Sequence, residues 1–545
     1  MSPAAASIAR LVEHPVETFT PAERARLAPH VTSLDRPVFA LVNLPETVKG
    51  ALFARYSRYP GTLRRLLLDE FGEVLAPAEG DGPPAVAAGE GARAAALYER
   101  IFLGYGDDSV AQLGGAHVAC EWVSNVLTKV LQRPRPAAYL EQSTRYLAYD
   151  APLPGGGYRY FRDPALGPEY AAAMDALFGI YAACLPRVTA WADAAFPAPD
   201  GEPAAAHRRA VRAKALDLLR GLLPAASLSH MGIYASGQTY EQLILHLLAH
   251  PLPEARACGQ MVLEAVQAVI PSFVARVERP DRGGEWVAYL RERERAAERW
   301  VARLGLDRPS GAEAAGSSVR LLHVDGDEEA LLAALLFEAA GAGEEETRIR
   351  LAALGAEERA ALLGDLVGRR ANRRHRPGRG FEALRYRFEL VSDYGAFRDL
   401  QRHRMLTVQW QRLTPHLGAG VPEEVEVAGC GADYRRALEV SRAEWERLAA
   451  AGREREALYA LCLGYRIRYV LDLNAREAMQ LIELRSGREG HPSYRAVAQE
   501  MHRLIAAVHP AVAGAMTHID TTAEPRLERV LAEMRSEARR ARAAG

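Results

Sequence analysis

The 545-residue chain is poor in cysteine and almost empty of lysine, and each shortage narrows its reading. Its five cysteines (Cys120, Cys184, Cys258, Cys430, Cys462) stand far apart, with no CxxC pair and an odd total. A disulfide framework or zinc knuckle is therefore not expected, and a reducing, cytoplasmic setting is. Among 68 basic residues the lysines are Lys49, Lys129 and Lys214 alone. Any anion site must then be built from planar guanidinium forks. No apolar stretch runs uninterrupted for about 18 residues, so no membrane span is expected. The first residues show no basic-then-apolar signal pattern. A formal net charge of −1 gives no electrostatic reason to expect nucleic acid or an anionic membrane as partner. A GxGxxG fingerprint and a P-loop are both missing.

What is present is the composition of a globular protein, 49% hydrophobic and 25% charged. The length exceeds one ordinary core, so two or more domains are expected. Gly, Pro and Ala cluster at 76–92, 151–157, 196–206 and 308–317, which read as loops or linkers. The best boundary is 308–318, followed by a strand-like run, Val319 to Val324. Elsewhere apolar residues recur at helical spacing, as in Val123, Leu127, Val130, Leu131 and in Tyr240, Leu243, Ile244, Leu247. The chain reads as mostly helical, with a few strands such as 386–391.

An internal repeat organises the rest. Gln242-Leu-Ile244 recurs as Gln480-Leu-Ile482 at an offset of 238, and Met261 recurs as Met501 at 240. Ala268-Val-Ile-Pro271 recurs as Ala507-Val-His-Pro510 at 239, and Gln132-Arg-Pro-Arg135 as Gln401-Arg-His-Arg404 at 269. Four matches in one order indicate a duplication whose first copy carries about thirty extra residues.

The densest functional candidate runs from Leu131 to Tyr146. Pro134 and Pro136 should end the preceding helix. Arg133 and Arg135 either satisfy that helix end or, with Glu141, Gln142, Ser143, Thr144 and Arg145, bind a phosphate or nucleotide. The basic run Arg369 to Arg376 reads as a solvated or phosphate-facing loop, since no aromatics interleave it.

These residues resemble the signature of the flavin-dependent thymidylate synthases, RHR followed after seven residues by Ser, commonly within RHRxxSxNEQSxRY. Arg133, Arg135, Glu141, Gln142, Ser143, Arg145 and Tyr146 stand in register, while Pro134 and Leu140 replace the family's His and Asn. The second copy keeps the triplet as Arg402, His403 and Arg404 but has Arg412 at the serine. Pro377 to Ala383 is similar to PGRAFEH without its histidine, and the first copy has Leu113 there; His117 either substitutes for that histidine or, the preferred reading, is a helical core histidine. Asn474 to Arg485, then His491, is similar to the block NxRxxxxFLxLR…H. The first copy has Ser236, Gln238 and Leu247 at Asn474, Arg476 and Arg485. The resemblance covers roughly 100–275 and 319–515.

The resemblance implies an α+β, predominantly helical fold: two tandem flavin-dependent thymidylate synthase-like domains, each with helices around a small antiparallel sheet. The expected division is 1–95 as N-terminal extension and start of the first copy, 96–307 as first domain and 308–318 as linker. The second domain is expected at 319–530, with a charged tail at 531–545. The implied reaction methylates dUMP to dTMP using FAD, NADPH and methylene-tetrahydrofolate. Ser143 and Arg485 are the implied catalytic residues. Substrate binding would use Arg133, Glu141, Gln142, Ser143, Arg145, Arg476 and Arg485. The flavin would meet Arg402, His403, Arg404 and Asn474. Family sites form between subunits of a tetramer, so this chain should be a homodimer, a pseudo-tetramer whose sites combine first-copy and second-copy arms. The alternative is a non-catalytic flavin- or nucleotide-binding paralogue with decayed sites.

Overall fold

The computed structural model describes residues 17–35, 39–56, 59–75, 111–153, 156–198, 203–307, 316–524 and 526–544. The expected loop at 76–92 lies outside the described residues, as do most of the expected linker and part of the 1–95 extension. Two compact units divide the chain. One comprises the chain up to Glu121 with Pro136–Glu141 and His230–Leu304; the other comprises Trp122–Arg135, Gln142–Ser229 and the chain from Gly305 onward.

The duplication legible in the sequence is a duplication of fold. The first repeat runs β1 (Gly115–Ser124), α1 (Asn125–Leu131), β2 (Ala137–Glu141), α2 (Pro168–Ala195), α3 (Ala204–Leu219), β3 (Leu228–Ser236), α4 (Gly237–Ala249) and α5 (Pro253–Gln267). The second opens with an added strand, β4 (Ser318–Asp325). It continues β5 (Arg385–Asp393), α6 (Tyr394–Leu400), β6 (Thr407–Trp410), α7 (Gly431–Ala450), β7 (Arg466–Asn474), α8 (Ala475–Arg485) and α9 (Pro492–Val508), before a last helix α10 (Val530–Ala544). The sheet orders agree, β1-β3-β2 and β4-β5-β7-β6, with the later strand of each repeat in the middle. β7 pairs antiparallel with β5 from Asp393↔Arg466 to Arg385↔Asn474, and with β6 from Thr407↔Asp472 to Trp410↔Tyr469. In each repeat, strands give way to helices at a polar cap. Ser124, Ser236, Asp393 and Asn474 accept the backbone N–H of Leu127, Thr239, Ala396 and Glu477. These caps satisfy donors that the first helical turn leaves without a partner. Val123 therefore belongs to β1 rather than to the helix its spacing suggested.

Within the second unit, the segment after α3 pairs with the segment before β7. Pro224 bridges Cys462, and hydrogen bonds run Ala225 N to Leu461 O, Ala226 N to Tyr459 O, Leu463 N to Leu223 O and Gly464 N to Gly221 O. Pro224 and Cys462 are 238 apart, the repeat offset itself, so equivalent residues face each other about a local two-fold. Around this ribbon, α2 packs on α3 and α7, and α10 packs on α3. Helix α2 is long and apolar enough by composition to cross a membrane. It buries Tyr170, Met174, Leu177, Phe178, Tyr181 and Val188 in this packing instead. The buried Lys214 of α3 donates to Glu528 at 2.9 Å, and Arg209 donates to Glu533 and Glu537 of α10. Of the basic run, Arg370 is buried in a two-pronged pair with Glu483 at 2.7 and 2.6 Å, whereas residues 371–376 are exposed.

The ribbon leaves no room for a side chain at Gly221. A Cβ there would lie 2.0 Å from the Tyr434 hydroxyl and 3.4 Å from Gly464 Cα. Overpacking of this kind costs about 1–3 kcal/mol. Gly221→Ala should lower the urea midpoint correspondingly, and adding Tyr434→Phe should restore part of the loss.

Candidate functional site

Helix α1 ends at Leu131 because Gln132 closes it and Pro134 cannot extend it. The arginines that follow turn to β6: Arg133 lies 5.3 Å from the Trp410 ring centre, and Arg135 Nη2 donates to Thr407 Oγ1 at 3.0 Å. Glu141 ends β2, buried, opposite Met231 in the first unit. The chain then bends: Ser143 Oγ accepts Arg145 N at 3.2 Å, and Ser143 O accepts Tyr146 N. Gln142 Oε1 accepts from Arg159 at 2.6 Å.

This bend delivers Arg145 into a buried cluster in the second unit. Its Nε and Nη2 grip Asp217 at 2.7 and 2.6 Å, and its Nη1 donates to the Tyr494 hydroxyl at 2.8 Å. Arg529 approaches Asp217 at 3.3 Å, and His491 Nε2 sits 3.0 Å from the Asp217 carbonyl. Arg220 Nη1 donates to Asp399 at 3.0 Å, with Arg402 3.7 Å from the same carboxylate. Arg485, the last residue of α8, donates its Nε to His403 Nε2 at 3.0 Å and lies 5.5 Å from the Tyr494 ring centre. Guanidinium groups thus outnumber the carboxylates Asp217 and Asp399.

Charges buried together perturb one another. Burial alone would raise the carboxyl pKa of Asp217, yet Arg145, Arg529 and His491 hold it well below the ordinary range. Asp399 is likewise raised by burial but driven far down by Arg402, Arg220, Arg485 and Arg145. Burial lowers the pKa of Arg485, against the pull of Asp399. His403 is pushed down by burial despite its bond to Glu477, so the ring stays neutral. Its tautomer then follows from its partners. Nε2 must accept from Arg485, so the proton sits on Nδ1 and donates to Glu477 Oε1 at 3.0 Å. Glu477 thereby orients Arg485 through the imidazole, as second partners of a histidine generally do.

A cavity of about 270 Å³ adjoins the cluster, lined by Asp217, Arg220, Tyr434, Arg466 and His491 among others. Arg220 is 4% exposed, and its Nε and Nη2 find no hydrogen-bond partner among the described residues. Buried donors without partners are uncommon and call for a water or an anion.

The sequence-predicted residues do not all meet here. Ser143, Arg145, Arg402, His403 and Arg485 belong to the cluster or border it. Arg476 is held elsewhere, by Pro377 O at 3.1 Å and Glu382 at 3.4 Å. Arg404 is exposed, as is Arg412, while Leu247 is wholly buried in α4. His117, expected in a helix core, is an exposed β1 residue whose ring centre lies 4.4 Å from that of Tyr234, the two rings tilted by 33°. Arg402 and Arg404, both exposed, fit the phosphates of a dinucleotide, and Asn474 has an amide nitrogen without a partner among the described residues. His403 has both ring nitrogens engaged inside the protein, by Glu477 and Arg485. No group of His, Cys, Asp and Glu able to hold a metal occurs among the described residues.

A protein-family profile described as thymidylate synthase complementing protein matches residues 77–272 and 321–511, once in each repeat. The chain belongs to this family. A UPF0159 protein of Chlamydia muridarum is 36% identical over 538 residues, covering 96% of this chain and 98% of the relative. A UPF0159 protein of Thermoplasma acidophilum is 32% identical over 525 residues, covering 89% and 98%. Among solved structures, a UMP/dUMP methylase, PolB, from Streptomyces cacaoi bound with 5-Br dUMP matches at 20% identity and a TM-score of 0.31. That match covers 38% of this chain and 97% of the other.

The cluster should respond to acid through its histidines. A histidine in an unfolded chain protonates near pH 6.5, whereas burial, reinforced by Arg220, holds His491 at about 3. Below pH 6.5 the unfolded state binds a proton that the folded state refuses, so stability falls with pH. The loss from pH 6.5 to 5 should be roughly 1–2 kcal/mol. His403, also depressed, acts in the same direction. Asp217 and Asp399 act in a different window. Their stabilisation is full above the unfolded carboxylate pKa of about 3.9 and is lost only as pH falls toward their depressed folded values. Urea unfolding at pH 6.5 and 5 should show the loss, and His491→Asn should shrink it.

Proposed function

We propose that this protein methylates dUMP to dTMP, working in the cytoplasm with FAD, NADPH and methylene-tetrahydrofolate. The observation that carries this reading is the meeting, inside one unit, of Arg145 from the first repeat with Arg485 from the second at Tyr494, with Ser143 in the bend that leads to Arg145. Arg145 and Arg220 would take the nucleotide phosphate by charge-assisted hydrogen bonds. Arg485 would face the uracil carbonyl and favour the negative charge that develops as the ring is activated at C5. Ser143 would add a neutral hydroxyl contact. Arg133 and Gln142 are retained as outer substrate contacts; Arg476, held by Pro377 and Glu382, is not. FAD, held by Arg402, Arg404 and Asn474, would supply reducing equivalents.

The chain is best divided into repeats at 96–307 and 319–530, joined by 308–318. Two repeats per chain support a homodimer with the four copies that the family places around its sites. The second reading, a non-catalytic nucleotide-binding protein, is favoured by the internal engagement of both key arginines, Arg145 by Asp217 and Arg485 by His403.

Growth of a thymidine-requiring strain that lacks every other thymidylate synthase decides between the two. Rescue is expected from the intact gene; failure, with soluble protein present, leaves the binding protein. In titrations with dUMP, Arg485→Ala should cost about 1.5–3 kcal/mol and Ser143→Ala about 0.5–1.5 kcal/mol. Arg412→Ala should leave affinity nearly unchanged, because its repeat-related partner position is Leu247.

A further inference from the structure

We propose that Tyr494 is a positioning residue that fixes the separation of Arg145 and Arg485, so that the two arginines meet one ligand as a unit. The proposal rests on the nucleotide reading above. The two arginines lie 340 residues apart in sequence and share no hydrogen-bonded carboxylate: Arg145 gives Nε and Nη2 to Asp217, and Arg485 gives Nε to His403. What both touch is Tyr494. Its hydroxyl accepts Arg145 Nη1 at 2.8 Å, and its ring centre lies 5.6 Å from the Arg145 guanidinium carbon and 5.5 Å from that of Arg485.

Two guanidinium groups this near one ring repel each other, and the negative face of an aromatic ring offsets that repulsion. Tyr494 is itself fixed, being 4% exposed at the start of α9. Just before it, His491 accepts Ser493 N on Nδ1 and meets the Asp217 carbonyl through Nε2. The tyrosine is thus tied to the same α3 segment that anchors Arg145. The second-copy arginine is in this way referred to a first-copy frame. Neither the arginine triplet nor the Leu-Arg arm contains this residue, and nothing in their spacing points to it.

The test is a mutant cycle with dUMP as probe. Affinities are measured for Arg145→Lys, Arg485→Lys and the double variant, each with Tyr494, Tyr494→Phe and Tyr494→Ala. With tyrosine present the double variant should lose at least tenfold less than the product of the single losses. In Tyr494→Ala the losses should simply multiply, and Tyr494→Phe, which keeps the ring, should fall between. Coupling that persists undiminished in Tyr494→Ala overturns the proposal. A crystal structure of Tyr494→Ala, which needs no ligand, should show the two guanidinium groups displaced from each other; unchanged arginine positions also overturn it. If the intact protein ignores dUMP while Tyr494→Ala still displaces the arginines, the nucleotide reading fails and the positioning role stands.

Discussion

The second unit depends on the short ribbon in which Pro224 faces Cys462. Because the paired residues are repeat equivalents, the ribbon places matching ends of the two repeats back to back. Arg220 directly precedes this ribbon, Asp217 lies one helical turn earlier, and Arg466 follows two residues after Gly464. Each of these side chains lines the cavity beside the cluster. The ribbon admits them only because Gly221 and Gly464 let Tyr434 and the opposing backbone come close. A shift of one residue in this pairing would turn every side chain near it to the other face.

Given that frame, the cluster poses an electrostatic problem that Asp217 and Asp399 solve. Arg145, Arg220, Arg402, Arg485 and Arg529 could not crowd together unneutralised. Buried ion pairs contribute little net stability, but removing one partner leaves an unpaired charge and costs about 3–5 kcal/mol. The two aspartates are therefore required as soon as the arginines are gathered. They also hold the guanidinium groups of Arg145 and Arg220 in fixed positions. Arg220 keeps Nε and Nη2 without hydrogen bonds among the described residues after binding Asp399, with the Asp393 carboxylate 3.8 Å from Nη2.

Much of this was legible in the sequence, and the reason is local. The repeat offsets report equivalent elements directly, since the 238 offset that relates Gln242 to Gln480 also relates Pro224 to Cys462. The helix stop at Pro134 and the strand at 319–324 follow from backbone chemistry that no tertiary contact overrides. The partners of the arginines were less visible. Asp217 is a single acid in the apolar run Ala215-Leu-Asp-Leu-Leu219, which is the pattern of a buried charge with a distant partner; the partner, Arg145, is 72 residues away. Tyr494 and Glu477 act across even longer separations, through hydrogen bonds that leave no trace in spacing. His117 was misplaced because a histidine between apolar residues suits a helix or a strand, and only the β1 pairing decides which face it takes.

The asymmetry between the repeats now has a physical form. At the position equivalent to Arg485 the first repeat has Leu247, which is fully buried and packs closely on Gly259 of α5. An arginine could not be restored there without burying an unpaired guanidinium, so the loss is locked in by packing. On the second repeat, the serine position holds Arg412, an exposed side chain that needs no such compensation. The two substitutions therefore differ in kind: one has been absorbed into a hydrophobic core, the other lies on a surface that tolerates it. A single chain containing both repeats brings Arg145 of the first and Arg485 of the second to one tyrosine in its second unit. A family member with one repeat per chain would carry each substitution into every site at once. Duplication thus removes the constraint that all arms be alike, and the Asp217 and Tyr494 connections are interactions that become possible once they are not.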